Sequence, residues 1–453
     1  MYNRYISSQS QSQSQSQPSQ HPSSLTLFPL PLLQPIHSTL NPSLCIQCRG
    51  SKYLCGLAYC PIIVSSVKTM LERSVDKSID GYTPPSVFVG RLGYPKVSIG
   101  PMISLVENEC SASISMYDCP EQWHDITLDD ILKFRLAMVR GKVRVHVDDA
   151  APTKSNRLTS IIQELAMAKL QVYAEMLLKH RPSGISLSEY LPPSGPSAEV
   201  ERLNVGNVRV DDRIEKAYYD DLSAGEAMVQ LYSKGISISS IVRALSAGCL
   251  GYKSRRRFVP TRWSITAVDD TISRALIERI RYEPSIDEYI VYSREVSMNR
   301  FVCILMPGTW EFEWIEAWFP NTVWNAYGSS YEMMGDHEGY RGRKEYARVG
   351  GCYYSARLAV SEHLASMKRQ ARVLMLREIY QGFNIPVGVW FVREHVRAML
   401  KSNGARFTSI DDAIKYAMSI LKIPLKEWVR GSHMLRDMKG YQTRLLDYTA
   451  EQT

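Results

Sequence analysis

The chain has 453 residues, 45% of them hydrophobic and 22% charged, which is ordinary for a globular protein with two or three domains. No stretch approaches the run of about twenty apolar residues that spans a bilayer, so the composition excludes an integral membrane protein and predicts a cytoplasmic one. The formal net charge of +8 is a basic excess that fits a nucleic-acid or phosphate partner.

Residues 1–40 form a low-complexity leader with a Ser-Gln repeat from Ser8 to Gln17. Such a composition cannot bury enough apolar surface to offset its ordering entropy, and it therefore predicts disorder.

Four cysteines follow within sixteen residues, in the pattern Cys45-x2-Cys48-x6-Cys55-x4-Cys60. Thiolates gathered this closely can converge on one tetrahedral ion and fold a segment too small for a core of its own. Structural zinc is the first interpretation of this knuckle. An iron–sulfur cluster is the alternative, because Pro61 directly follows the last cysteine. We assign residues 41–80 to the knuckle and a helix.

The other five cysteines are scattered in apolar or turn contexts, which is typical of buried thiols and excludes a disulfide framework. These residues are Cys110, Cys119, Cys249, Cys303 and Cys352.

Residues 81–205 are predicted to form an N-terminal α+β region. Ser86–Val89 and Tyr94–Ile99 read as strands joined by a glycine turn. The capping box at Ser160 and Gln163 predicts a helix through about Leu178. The stretch from Arg181 to Gly206 is rich in Pro, Ser and Gly and predicts the domain boundary.

Residues 206–430 are predicted to form a C-terminal α+β region, with a flexible tail at 431–453. Helices and antiparallel strands alternate here, so α+β is the expected fold class. In the strand 310–314, Glu311 and Glu313 are expected on a wet face. Two further predictions are a helix from Cys352 to about Met367 and a hairpin of residues 372–379 with residues 386–392.

The string Val259–Asp270 holds the first candidate site. Asp269 and Asp270 are predicted to start a helix, where one aspartate serves as an N-cap. The second aspartate, with Arg262 nearby, leaves room for a catalytic or phosphate-facing role. The preceding basic residues Arg255, Arg256 and Arg257 are candidates for DNA contact.

The string Gly335–Glu345 holds the second candidate site. Asp336, His337 and Glu338 could hold a metal ion, although adjacent ligands on a loop point in different directions. Arg341, Arg343 and Lys344 among glycines would suit backbone phosphates, or else form a solvated loop.

Two further candidates lie near the end of the chain. Glu378, after an apolar strand, is either a buried acid–base group or a partner of Arg377 or Arg393. In the tail, a glutamine is followed by a leucine and an aromatic residue at the spacing of a sliding-clamp (PCNA) interacting box, with its last position degenerate. These clamp-binding residues are Gln442, Leu445, Tyr448 and Thr449.

Six strings in order resemble the archaeal Nre DNA-repair family. They are Cys45–Cys60, Phe88–Pro95, Ser115–Pro120, Val259–Asp270, Asp336–Tyr346 and Pro386–Trp390. The resemblance implies repair of DNA damage, including bulky or cross-linking lesions, beside excision-repair factors. It also implies docking on PCNA through the C-terminal box. This chain departs from the family in its Ser-Gln leader and in Thr449.

Two hypotheses remain open. In the first, the protein is a clamp-tethered DNA-binding repair factor that breaks no bond. In the second, it is an enzyme acting on damaged DNA or on a nucleotide, as a lyase, a nuclease or an ADP-ribosyl transferase. Its site would then use Arg262, Asp269 and Asp270, with Glu378 as a fourth candidate.

Overall fold

Two six-stranded mixed sheets organise the described part of the chain. The computed structural model describes residues 41–57, 60–68, 75–105 and 114–438, with only the backbone of 65–68. The predicted disordered leader, Cys110 and the predicted clamp-binding residues all lie outside these ranges. All described residues belong to one compact unit.

The first sheet has the strand order β1-β5-β6-β4-β3-β2, in which β4 and β6 are parallel and the other pairs antiparallel. Its strands are β1 Ser78–Thr83, β2 Val87–Val89, β3 Lys96–Ser104, β4 Met138–His146, β5 Val172–Leu178 and β6 Ser197–Val205.

The second sheet has the order β10-β9-β11-β8-β7-β12, in which β9 and β11 are parallel and the other pairs antiparallel. Its strands are β7 Tyr289–Val296, β8 Asn299–Met306, β9 Glu311–Trp318, β10 Glu332–Glu338, β11 Arg372–Ile379 and β12 Ala405–Phe407. The predicted α+β class is confirmed.

Helices precede, connect and cover the two sheets. They are α1 Pro42–Cys48, α2 Pro61–Lys68, α3 Leu128–Leu136, α4 Arg157–Met167, α5 Asp212–Tyr219, α6 Ala224–Ser233, α7 Ile238–Ser246, α8 Thr261–Ile280, α9 Gly351–Met367, α10 Trp390–Leu400, α11 Ile410–Ile420 and α12 Leu425–Gly431. Among the helices of the described residues, none is both long and apolar enough to cross a bilayer.

The second sheet is buried on both faces, which explains the nearly continuous apolar sequence of β11. Leu374 and Leu376 pack in a cluster with α11 and α12, whereas Val373 and Met375 point to the opposite face and the main core. The long helices α8, α9 and α10 pack successively against one another within that main core.

The predicted helix from Ser160 to about Leu178 is wrong beyond Met167. The chain leaves α4 there, and residues 172–178 form β5, in which alternate side chains are buried. This period of two fits a strand rather than a helix. The cap also differs: Asn156, not Ser160, accepts a hydrogen bond from the Thr159 amide at 3.0 Å.

The predicted hairpin of residues 372–379 with 386–392 is also wrong. The first half is the strand β11, but both of its edges are already occupied, by β8 and by β9. The second half turns into α10 at Trp390.

The segment from Arg181 to Gly206, predicted as a linker, has a larger structural role. It ends in β6 and places Glu189 and Tyr190 in the interior. The division into regions at residue 205 stays a prediction.

Candidate nucleic-acid interface

The four cysteines of the knuckle line one small cavity beneath α1. Burial and, to a smaller extent, the neighbouring thiolates of Cys60, Cys48 and Cys55 together raise the pKa of the Cys45 thiol to about 11. A cation among them would relieve that repulsion, and four sulfur donors suit a tetrahedral soft metal. The donor set therefore fits the predicted zinc, whose binding stays a prediction.

A second group of metal-ligand type brings together residues of β9, of β10 and of the segment after α12. Ligand atoms of Glu311, His337 and His433 all lie within 4.8 Å of one another. His337 Nε2 lies 2.7 Å from Glu311 Oε1, and its ring stacks on that of His433. The predicted grouping of Asp336, His337 and Glu338 does not form, because these residues lie on β10 rather than on a loop, and Asp336 pairs with Arg343 instead.

Arg49 fixes the knuckle to the body of the protein. Its side chain is buried, and its backbone adopts the left-handed conformation at the end of α1. The guanidinium donates to Glu189 at 2.8 Å and to Glu316 at 2.7 Å. Glu316 also accepts from Arg377 at 2.8 Å, so the network reaches β11. The position of the knuckle is therefore set by a buried ion network.

A large cleft lies between the knuckle, the first sheet and the start of α8. It has a volume of about 660 Å³. Six cationic side chains line it together with one carboxylate, that of Glu189, which Arg49 already neutralises. We call this surface the cationic cleft. Its other cations are Arg91, Arg140, Lys142, Arg144 and Arg262.

These five cations have no carboxylate oxygen within 4.0 Å among the described residues. Arg91 and Arg262 make long contacts to Ser51, of 3.5 and 3.3 Å. Arg144 donates weakly to the Leu92 carbonyl at 3.3 Å. Unpaired positive charges collected in one concavity attract a polyanion, since such a cleft focuses their field.

Arg140 is the most unusual of the five, because its side chain is 8% exposed and yet unpaired. The guanidinium lies 3.5 Å from the centre of the Phe88 ring, and its Nε atom has no hydrogen-bond partner. Burial lowers the pKa of Arg140 to about 9, so the side chain keeps its charge at neutral pH. A buried charge without a partner costs stability, and an anionic ligand would offset that cost.

The turn between β2 and β3 brings the backbone into the cleft. Gly93 has a φ of +80°, in the left-handed region that favours glycine. A side chain here would also collide with the Arg144 guanidinium. Glycine at this position therefore leaves room for Arg144 to line the cleft.

A smaller pocket of about 430 Å³ adjoins the cationic cleft, and Arg262 lines both. The Arg262 guanidinium lies 3.8 Å from the centre of the Tyr190 ring. One face of α8 forms a wall of this pocket, and tyrosines form much of the remainder. We call it the aromatic pocket; its lining residues are Lys52, Tyr190, Arg262, Trp263, Thr266, Ala267, Asp270, Tyr346 and Tyr354.

The predicted helix start at Asp269 and Asp270 is wrong, because α8 begins at Thr261 and runs without interruption through both residues. Asp269 points into the core, where it accepts from Ser355 at 2.6 Å and from Arg393 at 3.0 Å. Burial raises the pKa of Asp269, and Arg393 opposes that effect. Asp269 and Asp270, although adjacent in the sequence, therefore lie on different faces of α8.

Asp270 faces the aromatic pocket, where it pairs with Arg357 and with Arg274. Glu378 is buried elsewhere and shares no partner with the residues of α8. Its carboxylate accepts from the amides of Lys422 and Ile423, both at 2.8 Å, and from the Tyr380 hydroxyl. The structure therefore brings together Arg262 and Asp270, but not Asp269 or Glu378.

The residues predicted to contact DNA have different surroundings. Arg256 is buried and donates to the carbonyls of Gly251 and Tyr218, so its contacts are internal. Arg257 is exposed and pairs with Asp148, while Arg255 is exposed. None of the three lines the cationic cleft.

The residues of the second predicted basic group also differ in their surroundings. Arg343 pairs with Asp336 at 2.9 Å and lies over the Tyr353 ring, which leaves it half-buried. Arg341 and Lys344 are exposed. Both stay candidates for backbone contact.

Sequence reasoning missed the cations of the first sheet. Arg140, Lys142 and Arg144 alternate along β4 with other residues. In a strand, residues two apart share a face, so this alternation was a signal for a basic stripe.

Two family models match the chain, one described as archaeal Nre, N-terminal, over residues 54–325, and one as archaeal Nre, C-terminal, over residues 338–448. The DNA repair protein NreB of Archaeoglobus fulgidus is 40% identical over 407 residues, which cover 89% of this chain and 99% of the relative. The DNA repair protein NreA of the same organism is 36% identical over 85% of this chain and 95% of the relative.

The DNA repair protein NreA of Haloferax volcanii is 34% identical over 82% of this chain and 89% of the relative. No solved structure matches the chain. With family models that cover most of its length and relatives matched almost end to end, the chain belongs to the archaeal Nre family.

Proposed function

We propose that this protein acts in DNA repair by binding DNA in the cationic cleft. The observation that carries the proposal is the set of five unpaired cations, Arg140 among them, that line one concave surface. DNA phosphates would supply the missing partners and release counterions, which makes affinity dependent on salt. The names of the relatives, all DNA repair proteins, favour DNA over other polyanions.

The test is a salt titration of DNA affinity by fluorescence anisotropy with a labelled oligonucleotide. Arg144→Ala is expected to weaken binding and to reduce the slope of log K against log salt by about 1. Lys133→Ala, an exposed cation outside the cleft, serves as the matched control. An unchanged affinity and slope for the combined Arg91→Ala, Lys142→Ala and Arg144→Ala variant would refute the proposal.

Zinc in the knuckle is the second part of the proposal, with Cys45, Cys48, Cys55 and Cys60 as its ligands and an iron–sulfur cluster as the alternative. When bound, the metal would supply folding free energy to a short segment. Elemental analysis and the visible spectrum distinguish the two metals. Cys48→Ser should lose the metal and melt at lower temperature, whereas Cys249→Ser, a buried thiol outside the knuckle, should keep it.

Docking on the PCNA sliding clamp through Gln442, Leu445, Tyr448 and Thr449 is the third part. The support is the spacing of these residues alone. Gln442→Ala, Leu445→Ala and Tyr448→Ala together should abolish binding to PCNA in calorimetry. Thr443→Ala and Arg444→Ala occupy positions that the pattern leaves free and should not change it. Retained binding by the triple variant would exclude this mode of docking.

The alternative, an enzyme acting on damaged DNA or a nucleotide, has one observation in its favour. Arg262 and Asp270, two of its four predicted residues, line the same pocket beside the cationic cleft. A denaturing gel of labelled duplexes with an abasic site or a cross-link tests it. Cleavage or a covalent adduct that disappears in Asp270→Ala would establish an enzyme.

A further inference from the structure

The aromatic pocket opens beside the cationic cleft, and α8 determines what lines it. Thr266 and Asp270 follow Arg262 at intervals of four residues, and Ala267 follows Trp263 in the same way. Residues four apart lie on one helix face. The face of α8 that this pocket shares with the cleft therefore carries a cation, a large ring and a carboxylate, while the opposite face enters the core.

The walls of the pocket offer flat surfaces of the kind that stack on a ring. Trp263 is 45% exposed, although tryptophan is usually highly buried. Its ring lies 5.3 Å from that of Tyr94, which supports it from the side of the β2–β3 turn. Tyr346 is 53% exposed and lies 5.2 Å from the Tyr354 ring. The exposed surface of these rings is of the kind on which a planar ligand stacks.

Polar groups at the edges of the pocket could form hydrogen bonds to a heterocycle. The hydroxyls of Tyr190 and Tyr346 lie 3.4 Å apart, and the Thr266 hydroxyl and Asp270 carboxylate line the same space. Pockets of 300–1,000 Å³ with apolar walls and a few polar groups are typical of small-ligand sites. A volume of about 430 Å³ accommodates one nucleoside.

We propose that the aromatic pocket holds one unpaired DNA base while the phosphates of the same strand lie in the cationic cleft. This inference rests on the proposed function. Arg262 lines both spaces, so it would contact the strand where the base leaves the backbone. A base within a duplex is stacked and paired and cannot enter a pocket, which restricts the ligand to a single-stranded or extruded base. Stacking on aromatic side chains stabilises such a base without sequence preference.

The test compares two strands of equal length and charge, one with bases and one made of abasic residues. Wild-type protein should bind the strand with bases more tightly. Trp263→Ala should remove that difference by weakening base-dependent binding by about 5- to 150-fold, the range of one base–aromatic stack. Tyr282→Ala is the matched control, because Tyr282 is exposed and lies just beyond α8, outside the pocket. Trp263→Phe should retain most of the difference.

Photo-cross-linking of a strand with one 5-iodouracil identifies the contact and the source of the base. The cross-link should map to Trp263, Tyr346 or Tyr190, in a single strand and in an unpaired bubble. A cross-link at these residues from a fully paired position as well would show extrusion from the duplex.

The failures are distinguishable. Equal wild-type affinity for both strands, or cross-links only outside the pocket, overturns the base pocket and leaves DNA binding in the cleft intact. A Trp263→Ala variant that binds the abasic strand more weakly than the wild type does, by the same factor as the strand with bases, indicates a structural effect and also overturns it. A wild-type protein that binds neither strand overturns the proposed function itself.

Discussion

The buried network around Arg49 gives the sharpest prediction for stability. Arg49→Met keeps an apolar stem of similar length but removes the cation that Glu189 and Glu316 share. Glu316 retains Arg377, whereas Glu189, almost fully buried, loses its ion pair. Removal of one partner from a buried pair costs about 3–5 kcal/mol, because a charge remains uncompensated. This is a third or more of the stability of many domains.

Urea denaturation followed by tryptophan fluorescence measures the effect. Arg49→Met should unfold at clearly lower urea, and adding Glu189→Gln should recover about 1–3 kcal/mol, because the unpaired charge is gone. Arg257→Met is the control: its pair with Asp148 is largely exposed and contributes at most about 1 kcal/mol. Two results would refute the assignment of Arg49 as the anchor of the knuckle. The first is an Arg49→Met variant as stable as the wild type, and the second is a variant with Glu189→Gln added that is no more stable than Arg49→Met alone.

Three other predictions follow from buried polar groups. Asp269→Ala should destabilise the fold by about 3–5 kcal/mol, since Arg393 loses a buried partner. Asp270→Ala should cost less, because Arg357 keeps its pair with Glu338. Equal urea midpoints for the two variants would contradict this. Glu378→Ala should cost about 2–5 kcal/mol by leaving two amides without their acceptor, and an unchanged melting temperature would count against it. Burial lowers the pKa of His395 to about 3, so the unfolded chain takes up a proton from pH 6.5 downward while the folded one does not. Stability should therefore decrease by roughly 3 kcal/mol between pH 6.5 and 4 from this residue, and His395→Leu should flatten the pH profile.

The sequence predicts local elements well where one periodicity dominates. Trp310, Phe312 and Trp314 alternate as expected of a strand, and α9 begins within one residue of its predicted start. The expectation for Glu313 was wrong: it is buried because the chain after α12 covers it, and Ser432 donates to its carboxylate at 2.7 Å. That contact joins residues 119 apart in the sequence, so no local pattern could have indicated it.

The candidate site was predicted in part. Arg262 and Asp270 do share a pocket, but the two aspartates were predicted to start a helix, one of them as its N-cap, because aspartate is common there. The actual role of Asp269 depends on Arg393 of α10, which the packing of α8, α9 and α10 brings to Asp269 from 124 residues along the chain. The preference of aspartate for the start of a helix was overridden by the ion pair of Asp269 with Arg393. A buried charge needs such a partner.

The buried arginines of the described residues differ in their partners, and the contrast argues for a ligand. In the core, Arg49, Arg357, Arg377 and Arg393 are each buried against a carboxylate. Arg140 is also buried and lies over the Phe88 ring, but no carboxylate of the described residues is within 4.0 Å of it. Two further buried arginines, Arg243 and Arg256, have backbone carbonyls as hydrogen-bond acceptors instead. Arg140 has neither kind of partner among the described residues, so the cations gathered in this cleft leave their positive potential for an anion from outside. Replacement of Arg140 by methionine should therefore leave the fold as stable as before or more so while weakening DNA binding. If both stability and DNA affinity decreased together in proportion, the charge would belong to the fold and not to the ligand.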